Sequence, residues 1–121
     1  MRDKVLVADD SGVMRKIIVR ALNTCGVTDV VEATDGLDAV DQFGKEDVNL
    51  VMTDWNMPKM NGIELTKTIR ASGSNVPIIM VTTEADKRSV MNAIEAGVND
   101  YLTKPFEQAD LYAKIDKYLS T

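Results

Sequence analysis

A chain of 121 residues, 45% hydrophobic and 27% charged, has the size and balance of a single globular domain. Its net charge of -5 argues against a nucleic-acid surface and for partners that carry basic patches. The absence of histidine removes every Ser-His or Cys-His triad and every histidine metal site, while a lone cysteine, Cys25, allows no internal disulfide and fits a reducing cytoplasm.

In chain order the pattern alternates between two periods. Lys4 to Ala8 reads as a buried strand ended by Asp9-Asp10. From Ser11, a natural N-cap, the spacing of Met14, Ile17, Ile18, Ala21, Leu22 and Cys25 predicts a helix that Gly26 stops. Asp29 to Ala33 is a second short strand, and Thr34-Asp35-Gly36 is its turn and cap. Leu37, Val40 and Phe43 space a short helix that Gly44 is expected to end. Leu50 to Thr53 is an apolar run suited to a strand buried on both faces, and it stops at Asp54. Pro58 and Asn61-Gly62 mark the loop beyond it. Ile63 to Ser72 then reads as a helix with Leu65 and Ile69 inward, closed by Gly73.

Pro77 opens Ile78 to Thr82, another doubly buried run. Val90, Ala93, Ile94 and Gly97 give a helical stripe preceded by Glu84 and Asp86, whose charges suit a helix N-terminus. Asp100 to Thr103 is the last strand, and Leu111, Ile115, Tyr118 and Leu119 form the apolar face of the last helix. Apolar runs such as Ile78 to Val81 are far too short to span a membrane, and Met1-Arg2-Asp3-Lys4 has no apolar segment behind it to make a signal peptide. These five β-α units contain no linker, repeat or low-complexity segment. They predict one doubly wound α/β domain over residues 1–121, a parallel sheet covered on both faces with right-handed crossovers.

Strand-end residues of a parallel sheet gather at one rim, where open α/β sheets hold their ligands. Asp9 and Asp10 follow the first strand, Asp54 the third, Thr82-Thr83 the fourth and Lys104 the fifth. If the first and third strands are neighbours, three carboxylates converge, which is costly unless a cation bridges them or some take up protons. Oxygen-only ligands point to a hard ion, Mg²⁺ foremost. Lys104 adds a point charge and Thr82 a hydroxyl, so the set suits a phosphoryl group on Asp54. Taken singly, Asp9 or Asp10 is more simply a cap and Lys104 a solvated lysine. The shared strand-end placement is what points to a site.

These motifs resemble the receiver domain of bacterial two-component response regulators, closest to its stand-alone chemotaxis members. The resemblance runs from Lys4 to Leu119 and rests on Asp9-Asp10, Thr53-Asp54-Trp55-Asn56-Met57-Pro58-Lys59-Met60-Asn61-Gly62, Thr82-Thr83-Glu84, and Tyr101 with Lys104-Pro105-Phe106. It implies a flavodoxin-like sheet in the order 2-1-3-4-5. It also implies that Asp54 accepts a phosphoryl group from a histidine kinase. Asp10, Asp54 and the Asn56 carbonyl would hold Mg²⁺, with Asp9 assisting through water. Lys104 would pair with the phosphoryl oxygens and Thr82 would hydrogen-bond one of them.

Tyr101 would then turn inward and reshape the face of the fourth helix, fifth strand and fifth helix. Asn56 and Glu84 would tune hydrolysis, and Lys104-Pro105 would be cis. One position departs from the pattern: Thr83 stands where related chemotaxis receivers carry a smaller residue. The implied protein is a cytoplasmic monomer, not an enzyme in the turnover sense. It catalyses its own phosphorylation and dephosphorylation, and ends too soon after the last helix for a DNA-binding output domain. Its partners would be a chemotaxis-type kinase and a flagellar motor switch protein, or another phosphorelay protein, with no nucleic acid and no membrane.

Two other classes compete. A phosphatase of the haloacid dehalogenase type needs a second carboxylate two residues after its nucleophile, where this chain has Asn56. A nucleotide- or flavin-binding module needs glycines or hydroxyls after the first strand, where Asp9-Asp10 would repel a phosphate.

Overall fold

Five short strand-forming runs alternate with five amphipathic stretches, and each becomes the element its period predicts. The structure, a computed structural model, describes residues 3–119. The readings that concern Met1, Arg2 and Thr121 lie outside them. In order, the elements are β1 (Lys4–Ala8), α1 (Gly12–Thr24), β2 (Asp29–Ala33), α2 (Gly36–Lys45) and β3 (Leu50–Thr53), followed by α3 (Gly62–Ala71), β4 (Ile78–Thr82), α4 (Lys87–Ala96), β5 (Asp100–Thr103) and α5 (Gln108–Tyr118). The strands form one parallel sheet in the order β2-β1-β3-β4-β5.

Alternation along the strands divides the interior in two. Val5 and Val7 of β1, Leu50 and Met52 of β3, and Ile79 and Val81 of β4 meet Ile18, Leu22, Leu111 and Ile115 of α1 and α5. Leu6, Val51, Ile78 and Met80 point the other way, onto Ala39, Leu65, Ile69 and Ala93 of α2, α3 and α4. Both faces of β3 and β4 are therefore buried, which is why those strands read as unbroken apolar runs. Fully burying side chains such as Leu6, Leu22 or Ile79 contributes about 1.5–3 kcal/mol each.

Four helix starts carry side-chain caps, at Ser11, Asp35 and Asp86 as the sequence suggests and at Asn61, read there only as part of a loop, while Glu107 before α5 makes no side-chain cap. Ser11, Asp35, Asn61 and Asp86 accept hydrogen bonds from the amides of Met14, Asp38, Glu64 and Ser89, and Asn61 with Glu64 completes a reciprocal capping box. Gly26 and Gly73 take positive φ beyond α1 and α3.

Several expectations need correction. Ile17, Leu37 and Ile94, counted in the inward stripes, are 43%, 51% and 59% exposed. Each helix meets the sheet along a contact narrower than its apolar stripe; Ile18, Ala39 and Ala93 fill it instead. Gly44 does not end α2, which runs to Lys45, where an ion pair with Asp41 at 3.0 Å supports the last turn. Leu119 lies just past α5 as its C-cap, still packed on the core.

Candidate functional site

The chain reverses its direction of winding between β1 and β3, and a crevice opens there beyond their carboxyl ends. Ala8 is paired in register with Thr53, so the next residues, Asp9 and Asp54, stand side by side. Their backbones are tied in place: the Asp54 amide donates to the Ala8 carbonyl at 2.9 Å and the Asp9 amide to the Ala33 carbonyl at 3.1 Å. From β5, in register with β4 through Thr82 and Thr103, Lys104 reaches across. Its Nζ lies 3.0 Å from Asp9 Oδ2 and 3.1 Å from Asp54 Oδ2. The second Asp54 oxygen, Oδ1, accepts the Trp55 amide at 2.7 Å, and Asp9 Oδ1 accepts the Ser11 amide at 2.9 Å.

Burial sets the electrostatics. Asp9 is almost wholly enclosed, and loss of solvent lifts its pKa above the ordinary carboxylate value although the Ser11 amide and Lys104 pull the other way. For Lys104, burial opposes the charge, but pairing with Asp9 and Asp54 outweighs it and the pKa lies above that of a free lysine. Asp10 completes the cluster: carboxylate oxygens of Asp9, Asp10 and Asp54 all lie within 4.8 Å of one another. Asp10 is exposed, unlike the other two. Three carboxylates and one ammonium leave two negative charges to balance, and the donors are all oxygen. That set fits a hard divalent cation such as Mg²⁺.

The loop from β3 to α3 forms one wall, and close backbone contacts fix it. A Cβ on Gly62 would lie 2.1 Å from the Asp54 carbonyl oxygen, so only glycine lets the loop fold back over the strand end. The Gly62 amide donates to the Trp55 carbonyl at 2.8 Å. A Cβ on Gly36, at the start of α2, would lie 2.0 Å from the Met60 carbonyl. Between these contacts the Met60 amide donates to the Pro58 carbonyl at 2.7 Å around Lys59, whose φ is +70°. This is the rare γ-turn with positive φ, a strained conformation of the kind that collects at functional sites. Lys59 also pairs with Asp35 at 3.6 Å.

The opposite wall is the segment between β4 and α4. Thr82 is fully buried, and its Oγ1 accepts the Glu84 amide at 3.3 Å. The Glu84 carbonyl accepts the Tyr101 hydroxyl. Burial, together with the charges of Glu84, Asp86 and Asp54, pushes the Tyr101 phenol up to about 12, so it remains a donor. Thr83 is exposed, and the Lys104-Pro105 bond is cis.

The response regulator receiver domain family matches residues 5–116. The chain belongs to that family. It is 50% identical over 121 residues to a chemotaxis protein CheY homolog of Campylobacter jejuni, covering 98% of this chain and 93% of that one. It is 45% identical to chemotaxis protein CheY1 of Helicobacter pylori, covering 98% of each. Among solved structures, the chemotaxis response regulator CheY4 of Vibrio cholerae superposes with a TM-score of 0.90 at 30% identity, over 98% of this chain and 100% of that one.

In this receiver, Asp9, Asp54 and Lys104 are in direct contact, Asp10 borders them, and Thr82, Glu84 and Tyr101 form a connected group on the adjoining wall. Asn56 is exposed in the loop two residues beyond Asp54. Sequence reasoning passed over Arg15, whose Nη1 donates to the Asp9 carbonyl at 2.7 Å. It read Gly62 only as loop punctuation. Neither has a signal that singles it out: Gly62 follows Asn61 in what reads as a loop, and Arg15 is one of two adjacent cations, with Lys16, in the first turns of α1.

Proposed function

We propose that this receiver is a phosphorylation switch in chemotaxis-type signalling, with Asp54 as phosphoacceptor. The observation that carries the reading is the Lys104 ammonium bridging Asp9 Oδ2 and Asp54 Oδ2 at 3.0 and 3.1 Å beside the Asp10 carboxylate. An Asp54 oxygen attacks the phosphorus of a kinase phosphohistidine; the O–P bond forms as the N–P bond breaks, and the histidine leaves. Asp54 is ready as a nucleophile because its Oδ1 is aimed by the Trp55 amide and the strand end is rigid. Lys104 keeps its proton throughout and turns from the carboxylates to the incoming phosphoryl oxygens. Asp10, Asp54 and the Asn56 carbonyl would hold Mg²⁺, with Asp9 assisting through water, and the ion would supply further charge neutralisation on those oxygens. Water later cleaves the phosphoaspartate, at a rate that Asn56 and Glu84, two residues beyond Asp54 and Thr82, tune.

Thr82 takes one phosphoryl oxygen after transfer, and the shift passes through Glu84 to Tyr101. α4 exposes Met91 and Ile94, 51% and 59% accessible, an apolar surface for a partner such as a flagellar motor switch protein. This reading makes the chain a cytoplasmic partner of a histidine kinase. Acetyl phosphate with Mg²⁺ tests it. Intact mass should show one phosphoryl adduct on the wild type and none on Asp54→Asn. Steady hydrolysis of phosphate esters with no adduct would instead establish the phosphatase reading.

A further inference from the structure

The three acidic residues are not held alike. Every polar atom of Asp9 has a partner: its amide donates to Ala33, Oδ1 accepts from Ser11, Oδ2 from Lys104, and its carbonyl from Arg15. Asp54 is held through both carboxylate oxygens. Asp10 is exposed and takes part in no hydrogen bond among the described residues. Its direction must come from the main chain that carries it.

One peptide of that main chain is held by a side chain from α1. The peptide from the Asp9 carbonyl to the Asp10 nitrogen is a rigid plane, so holding its oxygen constrains the direction in which the Asp10 N–Cα bond leaves it. Arg15 holds that oxygen, with Nη1 at 2.7 Å. The arm has a firm base, since Arg15 sits in α1 and its own amide donates to Ser11 at 3.0 Å. The guanidinium is steadied from its other side by Glu32 of β2, whose Oε1 accepts from Nε at 3.2 Å. The Arg15 side chain is only 19% exposed. A planar fork of donors can serve a carbonyl and a carboxylate at once, which a lysine ammonium on a flexible stem does not reproduce.

We propose that Arg15 is a positioning residue for the metal-binding carboxylates, setting the aim of Asp10 by holding the Asp9 carbonyl, with Glu32 as its outer support. The proposal rests on the receiver reading of the acidic cluster. A plain tie between α1 and β2 would matter to stability and leave metal affinity alone. Charge alone acts in the opposite direction, because a guanidinium beside the pocket repels a cation and its removal would tighten binding.

The test is Mg²⁺ affinity, read by Trp55 fluorescence and independently by titration calorimetry, in wild type, Arg15→Lys, Arg15→Met and Glu32→Gln. Metal-free melts of each variant accompany it. Arg15→Lys, which keeps the charge, should weaken Mg²⁺ binding about 10-fold, as loss of an outer-shell orienting bond does. Arg15→Met should weaken it as well despite losing a repelling charge, and Glu32→Gln should weaken it by a smaller factor. Should Arg15→Met not fold, Arg15→Lys and Glu32→Gln decide. Wild-type affinity in Arg15→Lys, or tighter binding in Arg15→Met, overturns the positioning role while leaving the receiver reading intact. A wild type that binds no Mg²⁺ overturns both.

Discussion

Thr82 and Tyr101 are joined through a single residue: the Glu84 amide donates to the Thr82 hydroxyl, and the Glu84 carbonyl accepts the Tyr101 hydroxyl. The first group is fully buried beside the acidic crevice, whereas the second reaches the surface of β5. A displacement of Thr82 therefore pulls on the backbone that anchors Tyr101. Thr82→Ala should leave labelling of Asp54 by acetyl phosphate largely intact. It should also shrink the beryllofluoride-induced change in the Tyr101 amide resonance, and the gain in partner affinity should fall by about 5- to 150-fold. A full-sized response in the variant would show that the two residues are not coupled in this way.

Removing repulsion from the crevice should stabilise the metal-free protein. Asp10→Asn is the clean case, because Asp9 and Asp54 are both paired with Lys104 and Asp10 is not. The variant should gain about 0.5–2 kcal/mol in urea unfolding without metal, in the range of other single stabilising changes. It should also lose the stabilisation that Mg²⁺ gives the wild type, which starts at about 0.4 kcal/mol when the metal equals its Kd and grows with concentration. Lower stability in the variant would make Asp10 a structural residue.

Two glycines offer a controlled comparison. Gly62→Ala must displace the Asp54 carbonyl and should cost about 1–3 kcal/mol. Because that carbonyl belongs to the acceptor residue, the Trp55 response to Mg²⁺ should weaken at the same time. Gly44→Ala meets nothing within 4 Å, lies inside α2, and should stabilise by about 0.5–1 kcal/mol with no effect on metal. Similar outcomes for the two variants would refute the close approach over the strand end.

Asp100 gives the fold a defined acid limit. Burial alone would raise its pKa, but hydrogen bonds from Lys114, the Tyr101 amide, Lys117 and Tyr118 bring it down to about 2 from an unfolded value of 3.8. A depressed carboxyl contributes stability above its unfolded pKa and loses it as pH falls through the folded one. The contribution, about 2 kcal/mol at neutral pH, should therefore disappear between about pH 4 and 2. Asp100→Asn should be less stable by that amount at pH 7, with the gap to wild type closing across this window in urea titrations. A gap that stays constant below pH 4 would assign the loss to something other than the charge.

The parts legible in the sequence were those set by local period and punctuation. Doubly buried strands announced themselves as apolar runs, and strand-end carboxylates stood where the runs stopped, so Asp9, Asp10, Asp54 and Lys104 were found together. Helix faces were less legible, because a 3.6-residue period marks an apolar stripe without its width. Ile17, Leu37 and Ile94 fall inside the stripe yet outside the contact with the sheet. Long-range geometry was not legible at all. Nothing in the spacing says that Arg15 folds back six residues to a carbonyl, or that Gly62 lies under Asp54.

The two glycine contacts also make the crevice mechanically one-sided. Gly62 against the Asp54 carbonyl and Gly36 against that of Met60 leave the β3–α3 wall no slack. The facing wall hangs from Thr82 and Tyr101 by side-chain hydrogen bonds, which rearrange at far smaller cost than a backbone clash. Any group that swells the crevice must then spend its work on the compliant side, so the direction of the output is decided by where the fold is stiff.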